Sequence, residues 1–252
     1  MDESPVMHGA EPFSAPGGPH GALVLHGFTG TPQSMRSLAE ALAAAGFAVD
    51  LPLLPGHGTS AEDMATTGWA DWSAAAEAAY EKLAASCDRV VVAGLSMGGT
   101  LTAWLASRHS EIAGIAVING LIDPIAPEAR QVLDIMLAQG VLEVPGIGSD
   151  IAKPGSKELS YGTTPVATTK ALMDSVEGLA GEWAKITSPV LIFNSPQDHV
   201  VPPSSSDTLA AAVKGPVERI TLARSYHVAT LDYDQDLIER ETVAFAKRVT
   251  AG

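Results

Sequence analysis

At 252 residues with 46% hydrophobic content, the chain is long enough to bury one large core, or one core carrying an inserted subdomain. A formal net charge of −14 and a pI near 4.8 exclude nucleic acid and anionic membrane surfaces as partners, because both present phosphates that such a chain repels. Neutral or cationic small molecules remain. The single cysteine, Cys87, rules out an internal disulfide and reads as a small buried hydrophobe at a predicted helix end. Met1-Asp2-Glu3-Ser4-Pro5 carries acid where a secretion signal needs base, and no apolar run reaches the roughly 18 residues that span a bilayer. The expectation is a cytoplasmic protein without a transmembrane segment, a monomer or weak dimer.

Residues 1 to 21 are punctuated by Pro5, Pro12, Pro16, Gly17-Gly18 and Pro19, which leaves room for a short edge strand near Pro12 to Ala15. Ala22-Leu23-Val24-Leu25 reads as a buried strand, followed by the glycine-bracketed loop His26-Gly27-Phe28-Thr29-Gly30. Thr31-Pro32 then supplies an N-cap and a proline at the first helical position, and Met35, Leu38 and Leu42 share one helical face before Gly46. Phe47 to Asp50 begins another strand, and His57, in the tight loop after it, reads as structural. Trp69 to Ala85 is an alanine-rich helix leading into Val90-Val91-Val92-Ala93-Gly94-Leu95, a β-branched strand that stops at a lone serine among glycines. A helix from Thr100 follows and ends near Arg108-His109, where His109 reads as a surface residue opposing the helix dipole. Ile112 to Ile118 is again strand-like and ends in Asn119-Gly120. Strands and helices thus alternate from residue 22 to residue 120, the pattern of a parallel sheet covered by helices on both faces.

The alternation lapses from Leu121 to about Ile186, where no strand is predicted and two amphipathic helices, Pro127 to Gln139 and Val166 to Leu179, flank a Gly- and Pro-rich stretch. That length far exceeds an ordinary connection and marks an insertion, or cap, over residues 121–186, with the core at 1–120 and 187–252. Its apolar residues Val132, Leu133, Met136, Leu137, Ile147, Leu159, Leu172, Met173 and Val176 exceed one packed face, so part of them is expected to line an acyl pocket. The alternation resumes with the strand Val190 to Asn194, a helix from about Pro203 to Val213, a last strand from Glu218 to Leu222 and an end helix from Asp236 to Val249.

Gly94-x-Ser96-x-Gly98 has the spacing of a nucleophile elbow, with the strand before it and the helix after it that the motif requires. A serine hydroxyl is a poor nucleophile until an imidazole takes its proton, and the imidazole needs a carboxylate to fix its tautomer. Loops at the carboxyl ends of parallel strands open on one edge. Ser96, Asp198 and His227 each follow a predicted strand, in the order Ser, Asp, His. Asp123, after the Ile112 strand, is an alternative acid; His199 is a rival imidazole but adjoins Asp198 in one loop; Asp232 and Asp234 break the chain order and read as surface or helix-capping acids. The N–H of Met97, after the nucleophile, and the N–H of Phe28 are the expected donors to the oxyanion.

The strings HGFTG (His26 to Gly30), GLSMGG (Gly94 to Gly99), DHVVPP (Asp198 to Pro203) and SYHVATLDYD (Ser225 to Asp234) resemble the α/β-hydrolase superfamily, in particular its small bacterial monoacylglycerol lipases and carboxylesterases. The resemblance implies an α/β-hydrolase fold, a mostly parallel twisted sheet flanked by helices with a small cap inserted after the sixth core strand. It implies a serine hydrolase that needs no cofactor and no metal, with Ser96, Asp198 and His227 as triad, Phe28 and Met97 as oxyanion hole, and a small-molecule lipid ester as substrate. Asn119, Ile147 and Glu158 are the residues it points to for binding the glycerol head, Glu158 matching the acid of the family's cap segment. The function expected is cleavage of monoacylglycerols to fatty acid and glycerol through an acyl-enzyme; the alternative is a carboxylesterase acting on short- to medium-chain esters. A noncatalytic receptor on the same scaffold is disfavoured by the complete set of three groups.

Overall fold

The computed structural model describes residues 5–251; the acidic start read at Met1 to Ser4 lies outside the described residues. Among the described residues nine strands form: β1 (Phe13–Ala15), β2 (His20–Leu25), β3 (Ala48–Leu51), β4 (Arg89–Leu95), β5 (Gly114–Ile118), β6 (Glu143–Pro145), β7 (Thr163–Pro165), β8 (Val190–Asn194) and β9 (Val217–Thr221). Between and after them run α1 (Arg36–Ala44), α2 (Ala61–Met64), α3 (Trp69–Ala84), α4 (Met97–Arg108), α5 (Pro127–Ala138), α6 (Val166–Gly178), α7 (Ser204–Ala212) and α8 (Gln235–Thr250). Seven strands make one sheet in the order β1-β3-β2-β4-β5-β8-β9, parallel throughout except for the antiparallel edge strand β1.

Side chains alternate across a strand, so a sheet buried on both faces needs apolar residues at every position. The central strands supply them. Leu23, Leu25, Val90, Val92, Ile115, Val117, Val190 and Ile192 pack on one side with Trp72, Ala76 and Tyr80 of α3 and Leu101 and Leu105 of α4. Ala22, Val24, Val91, Ala93, Ala116, Ile118, Leu191 and Phe193 pack on the other with Leu38 and Leu42 of α1 and Ile238 and Phe245 of α8. The predicted helix after Thr31 opens as a 3-10 turn over Pro32–Met35, and the Thr31 hydroxyl accepts from the Gln33 N–H at 3.4 Å before α1 begins.

Three expectations need correction. Residues 121–186 do contain strands: β6 and β7 pair antiparallel, a short two-stranded ribbon whose strands carry prolines (Pro145, Pro165) that mask the signal. Residues 121–186 follow β5, the fifth strand of the sheet in chain order rather than the sixth, with a single short strand, β1, at the edge beyond β3. His109 is no free surface residue, since its ring lies between the carboxylates of Glu77 and Glu111 and packs 4.5 Å from the Tyr80 ring. Among the described residues no helix is long and apolar enough to cross a membrane.

Candidate active site

The elbow is built by steric necessity. Ser96 has φ 55° and ψ −120°, a conformation that L-residues adopt only when their surroundings enforce it. A Cβ on Gly94 would lie 2.1 Å from the Gly98 carbonyl oxygen, and a Cβ on Gly98 would lie 2.2 Å from the Leu25 carbonyl oxygen. Both glycines are therefore required for α4 to start directly against β4 and β2. Backbone bonds hold the turn: on the β5 side the Ser96 N–H donates to Ile118 at 3.0 Å and the Ser96 carbonyl accepts from Leu121 at 3.2 Å, and that carbonyl also accepts from Thr100 of α4 at 3.1 Å.

Asp198 and His227 meet across the loops after β8 and β9. Asp198 Oδ2 lies 2.7 Å from His227 Nδ1, while Asp198 Oδ1 accepts from the N–H groups of Val200 and Val201, both at 2.8 Å. The two oxygens are thereby divided between orienting the carboxylate and pairing with the imidazole. Only 2% of the Asp198 side chain is exposed, so the pair is shielded from solvent. His199 points elsewhere, its Nδ1 lying 2.8 Å from Asp150 Oδ1. Asp123 accepts from Ser204 Oγ at 3.3 Å and meets no imidazole. Asp232 and Asp234, expected as surface or helix-capping acids, are 1% and 4% exposed and accept backbone N–H groups, Asp232 from Tyr226 and Asp234 from Arg224, and Asp234 stands at the N-cap position of α8.

Ser96, His227, Gly27, Phe28, Thr29, Ile147, Glu158, Leu172 and Met173 line one cleft that encloses about 710 Å³ of empty space open to solvent. The loop carrying Phe28 is fixed from within. His26 Nε2 accepts from the Leu54 N–H at 3.1 Å while its Nδ1 bonds the Gly27 carbonyl at 3.0 Å, and the Phe28 ring meets Trp72 and His57 edge-on. Burial lowers the pKa of His26 to about 4 and, with the neighbouring His26 adding to it, that of His57 to about 3, so both rings are neutral packing elements. Met97 opens α4, where an N–H has no carbonyl one turn back to bond. Among the described residues neither its N–H nor that of Phe28 takes a loop or side-chain acceptor.

The three residues expected at the glycerol head separate. Ile147, 58% exposed, and Glu158, 8% exposed, both line the cleft. Asn119 does not. Its Oδ1 accepts from the Ser195 N–H at 2.8 Å, and its Nδ2 donates to the His227 carbonyl at 2.8 Å and to Ser195 Oγ at 3.0 Å. Its amide, buried between the β8 and β9 loops, is spent on holding the His227 loop and has no donor left for a substrate. Of the apolar residues singled out in the inserted segment, Ile147, Leu172 and Met173 face the cleft, whereas Val176 is buried in the core and Val132 stays half exposed on α5.

Glu158 is held by its neighbours' backbone: its N–H donates to Ser149 Oγ at 2.9 Å, and Gln33 bonds both flanking peptides, Lys157 O at 3.1 Å and Leu159 N–H at 3.0 Å. Burial pushes its carboxyl up to about 7, against the opposing pull of His227 and the Ser34 hydroxyl. A carboxyl whose folded pKa is raised contributes its full stability below the unfolded value and loses it as pH rises toward the folded one. Over that window ionisation costs on the order of 3 kcal/mol. Glu158→Gln is therefore expected to be increasingly more stable than wild type between pH 5 and pH 8 in thermal melts, and a difference independent of pH would refute the buried-carboxyl account.

Among the described residues no group of His, Cys, Asp or Glu is placed to hold a metal ion. A family model for the alpha/beta hydrolase family matches residues 22–240. The chain is 47% identical over 250 residues to a thermostable monoacylglycerol lipase of Bacillus sp. (strain H-257), covering 98% of each, and 28% identical over 249 residues to a carboxylesterase of Bacillus subtilis (strain 168), covering 95% of this chain and 97% of that one. Its backbone matches a solved structure from the metagenome-derived lipolytic enzymes LipS and LipT with a TM-score of 0.93 at 41% identity, over 97% of this chain and 100% of the other. An elbow serine, a buried acid–imidazole pair, and relatives matched end to end agree that the chain belongs to the alpha/beta hydrolase family.

Proposed function

We propose that this protein is a serine hydrolase that cleaves the ester bond of monoacylglycerols, releasing fatty acid and glycerol. The observation that carries the reading is the 2.7 Å contact of Asp198 with His227 in the cleft that also holds the strained Ser96. In this reading the neutral His227 imidazole, oriented by Asp198, takes the Ser96 hydroxyl proton as Oγ attacks the ester carbonyl. The N–H groups of Phe28 and Met97 receive the negative charge on the former carbonyl oxygen. His227 then gives its proton to the glycerol oxygen as the acyl-enzyme forms, and water, activated by the same imidazole, releases the fatty acid. Neither a cofactor nor a metal enters these steps. Residues 121–186 act as the cap over a core made of 1–120 and 187–252, and the protein works in the cytoplasm as a monomer or weak dimer.

Substrate choice follows from the cleft. Ile147, Leu172 and Met173 offer an apolar wall for one acyl chain, and Glu158 offers a carboxyl to the glycerol hydroxyls at the other end. A buried polar group left without its substrate hydroxyl costs about 1–3 kcal/mol, roughly tenfold to hundredfold in rate. Glu158→Ala is expected to slow monoacylglycerol hydrolysis by that factor while barely changing the p-nitrophenyl ester of the same acyl chain. Equal losses on both substrates would make Glu158 structural, and brisk triacylglycerol hydrolysis by the wild type would remove the head-group pocket. The carboxylesterase reading draws support from the Bacillus subtilis relative, and a wild type that prefers short-chain methyl esters over monoacylglycerols would favour it.

A further inference from the structure

Asp150 was given no role from the sequence, yet it sits at the junction of the inserted segment with both loops of the acid–imidazole pair. Its Oδ2 accepts from the His227 N–H at 3.0 Å and from the His199 N–H at 3.1 Å. Its Oδ1 lies 2.8 Å from His199 Nδ1, and its backbone carbonyl accepts from the Val228 N–H at 3.0 Å. His199 directly follows Asp198, so one carboxylate grips the chain beside the acid and the chain at the imidazole. The grip is reciprocal. Asp232, buried under the His227 loop, reaches back to accept from the N–H groups of Ala152 at 2.7 Å and Lys153 at 2.9 Å while also holding Tyr226 at 2.9 Å.

We propose that Asp150 is a positioning residue: it ties the Asp198 loop and the His227 loop to the inserted segment, and so makes the alignment of the pair depend on that segment being seated. The inference rests on the reading of Asp198 and His227 as acid and base. Bonds from backbone N–H groups to a carboxylate are charge-assisted and stronger than neutral ones, and here, at 3.0 and 3.1 Å, they restrain the His227 N–H and the peptide joining Asp198 to His199, beside the Asp198 and His227 side chains that meet at 2.7 Å. Burial works to raise the Asp150 pKa, but the bonds from His199 and from the His227 backbone outweigh it and hold it below the ordinary value, which keeps the anion in place at neutral pH. Ile147 and Gly148 line the cleft together with Asp150 itself, so the wall that meets substrate and the anchor that aligns the pair belong to one stretch of backbone. A misplacement of about 1 Å in a catalytic group lowers the rate by about a hundredfold.

Asp150→Ala removes the side-chain acceptors, whereas Asp150→Asn can keep its amide oxygen at the Oδ2 position and retain both backbone bonds. On p-nitrophenyl butyrate the alanine variant is expected to lose 10-fold to 100-fold in kcat with KM within about twofold, and the asparagine variant to recover to within about fivefold of wild type. His199→Ala, which keeps its backbone N–H, should stay within about threefold of wild type, because the ring bond is the dispensable part of the grip. The low-field proton resonance of the His227–Asp198 bond should broaden or vanish in Asp150→Ala and persist in Asp150→Asn. Should the alanine variant not fold, Asp150→Glu, which displaces the carboxylate by one methylene, carries the same kcat test. Wild-type kcat in Asp150→Ala, or in Asp150→Glu where it stands in, overturns the proposal, as does a KM that rises in step with the loss of kcat. Wild-type activity in His227→Gln would instead refute the underlying reading of the pair, a separate outcome.

Discussion

Ser96→Ala is expected to abolish ester hydrolysis, lowering kcat by about a millionfold, while the protein keeps its fold. Alanine removes the Oγ proposed to form the acyl bond, and no other hydroxyl in the cleft sits at the elbow position: Thr29, the other hydroxyl-bearing residue of the lining, lies in the loop after β2. Alanine also carries a Cβ like serine, so it meets the same steric surroundings at φ 55° and adds no bulk where Gly27 approaches Ser96 closely, a Cβ on Gly27 lying 3.3 Å from that of Ser96. Circular dichroism and the melting temperature should match wild type. What remains in the variant is the environment of the cleft with its N–H donors, which in a comparable site leaves about 10³–10⁴-fold over water. A fluorophosphonate probe should label the wild type at Ser96 alone and leave the variant unmarked. Near wild-type turnover of p-nitrophenyl butyrate by Ser96→Ala would collapse the assignment of the site.

The central strands were legible in the sequence because a strand buried on both faces has no polar position to hide it, and Val90 to Leu95 and Val190 to Phe193 read as continuous apolar runs. Ser96 and Asp198, read as site residues, each follow such a run, whereas β9 before His227 is polar and largely exposed, so His227 was read from its place after a last strand in the order Ser, Asp, His. The two short strands β6 and β7 were not, because three-residue strands ending in proline carry no periodicity. Asn119 was misplaced at the rim because sequence shows that it follows β5 but not which way its amide turns; with φ 44° it turns inward onto Ser195 and the His227 carbonyl. The anchoring roles of Asp150, Asp232 and Asp234 were not legible, for a deeper reason. Each binds backbone N–H groups, and backbone donors leave no residue-type signature at the other end of the bond. An aspartate in a loop looks the same in sequence whether it faces water or holds a distant peptide.

The division of labour between the two oxygens of Asp198 gives the second large effect. Asp198→Asn keeps the shape of the side chain but has one acceptor where the carboxylate has two. If the amide oxygen stays with the N–H groups of Val200 and Val201, the NH₂ group faces His227 Nδ1. If it turns the other way, the NH₂ group confronts those two N–H groups and leaves two donors without partners in a buried loop, at about 1–3 kcal/mol each. The first arrangement wins. A donor facing Nδ1 forces that nitrogen to become the acceptor and moves the ring proton to Nε2, the nitrogen that takes the Ser96 proton in the proposed mechanism. The variant therefore keeps its geometry and holds the wrong tautomer, for which a loss of about 10⁴-fold in kcat is expected. His199→Gln should stay largely active, since that ring pairs with Asp150 and not with Asp198. Activity in Asp198→Asn within tenfold of wild type would show that the imidazole is oriented by some other acid, and a matching loss in Asp123→Asn would identify which.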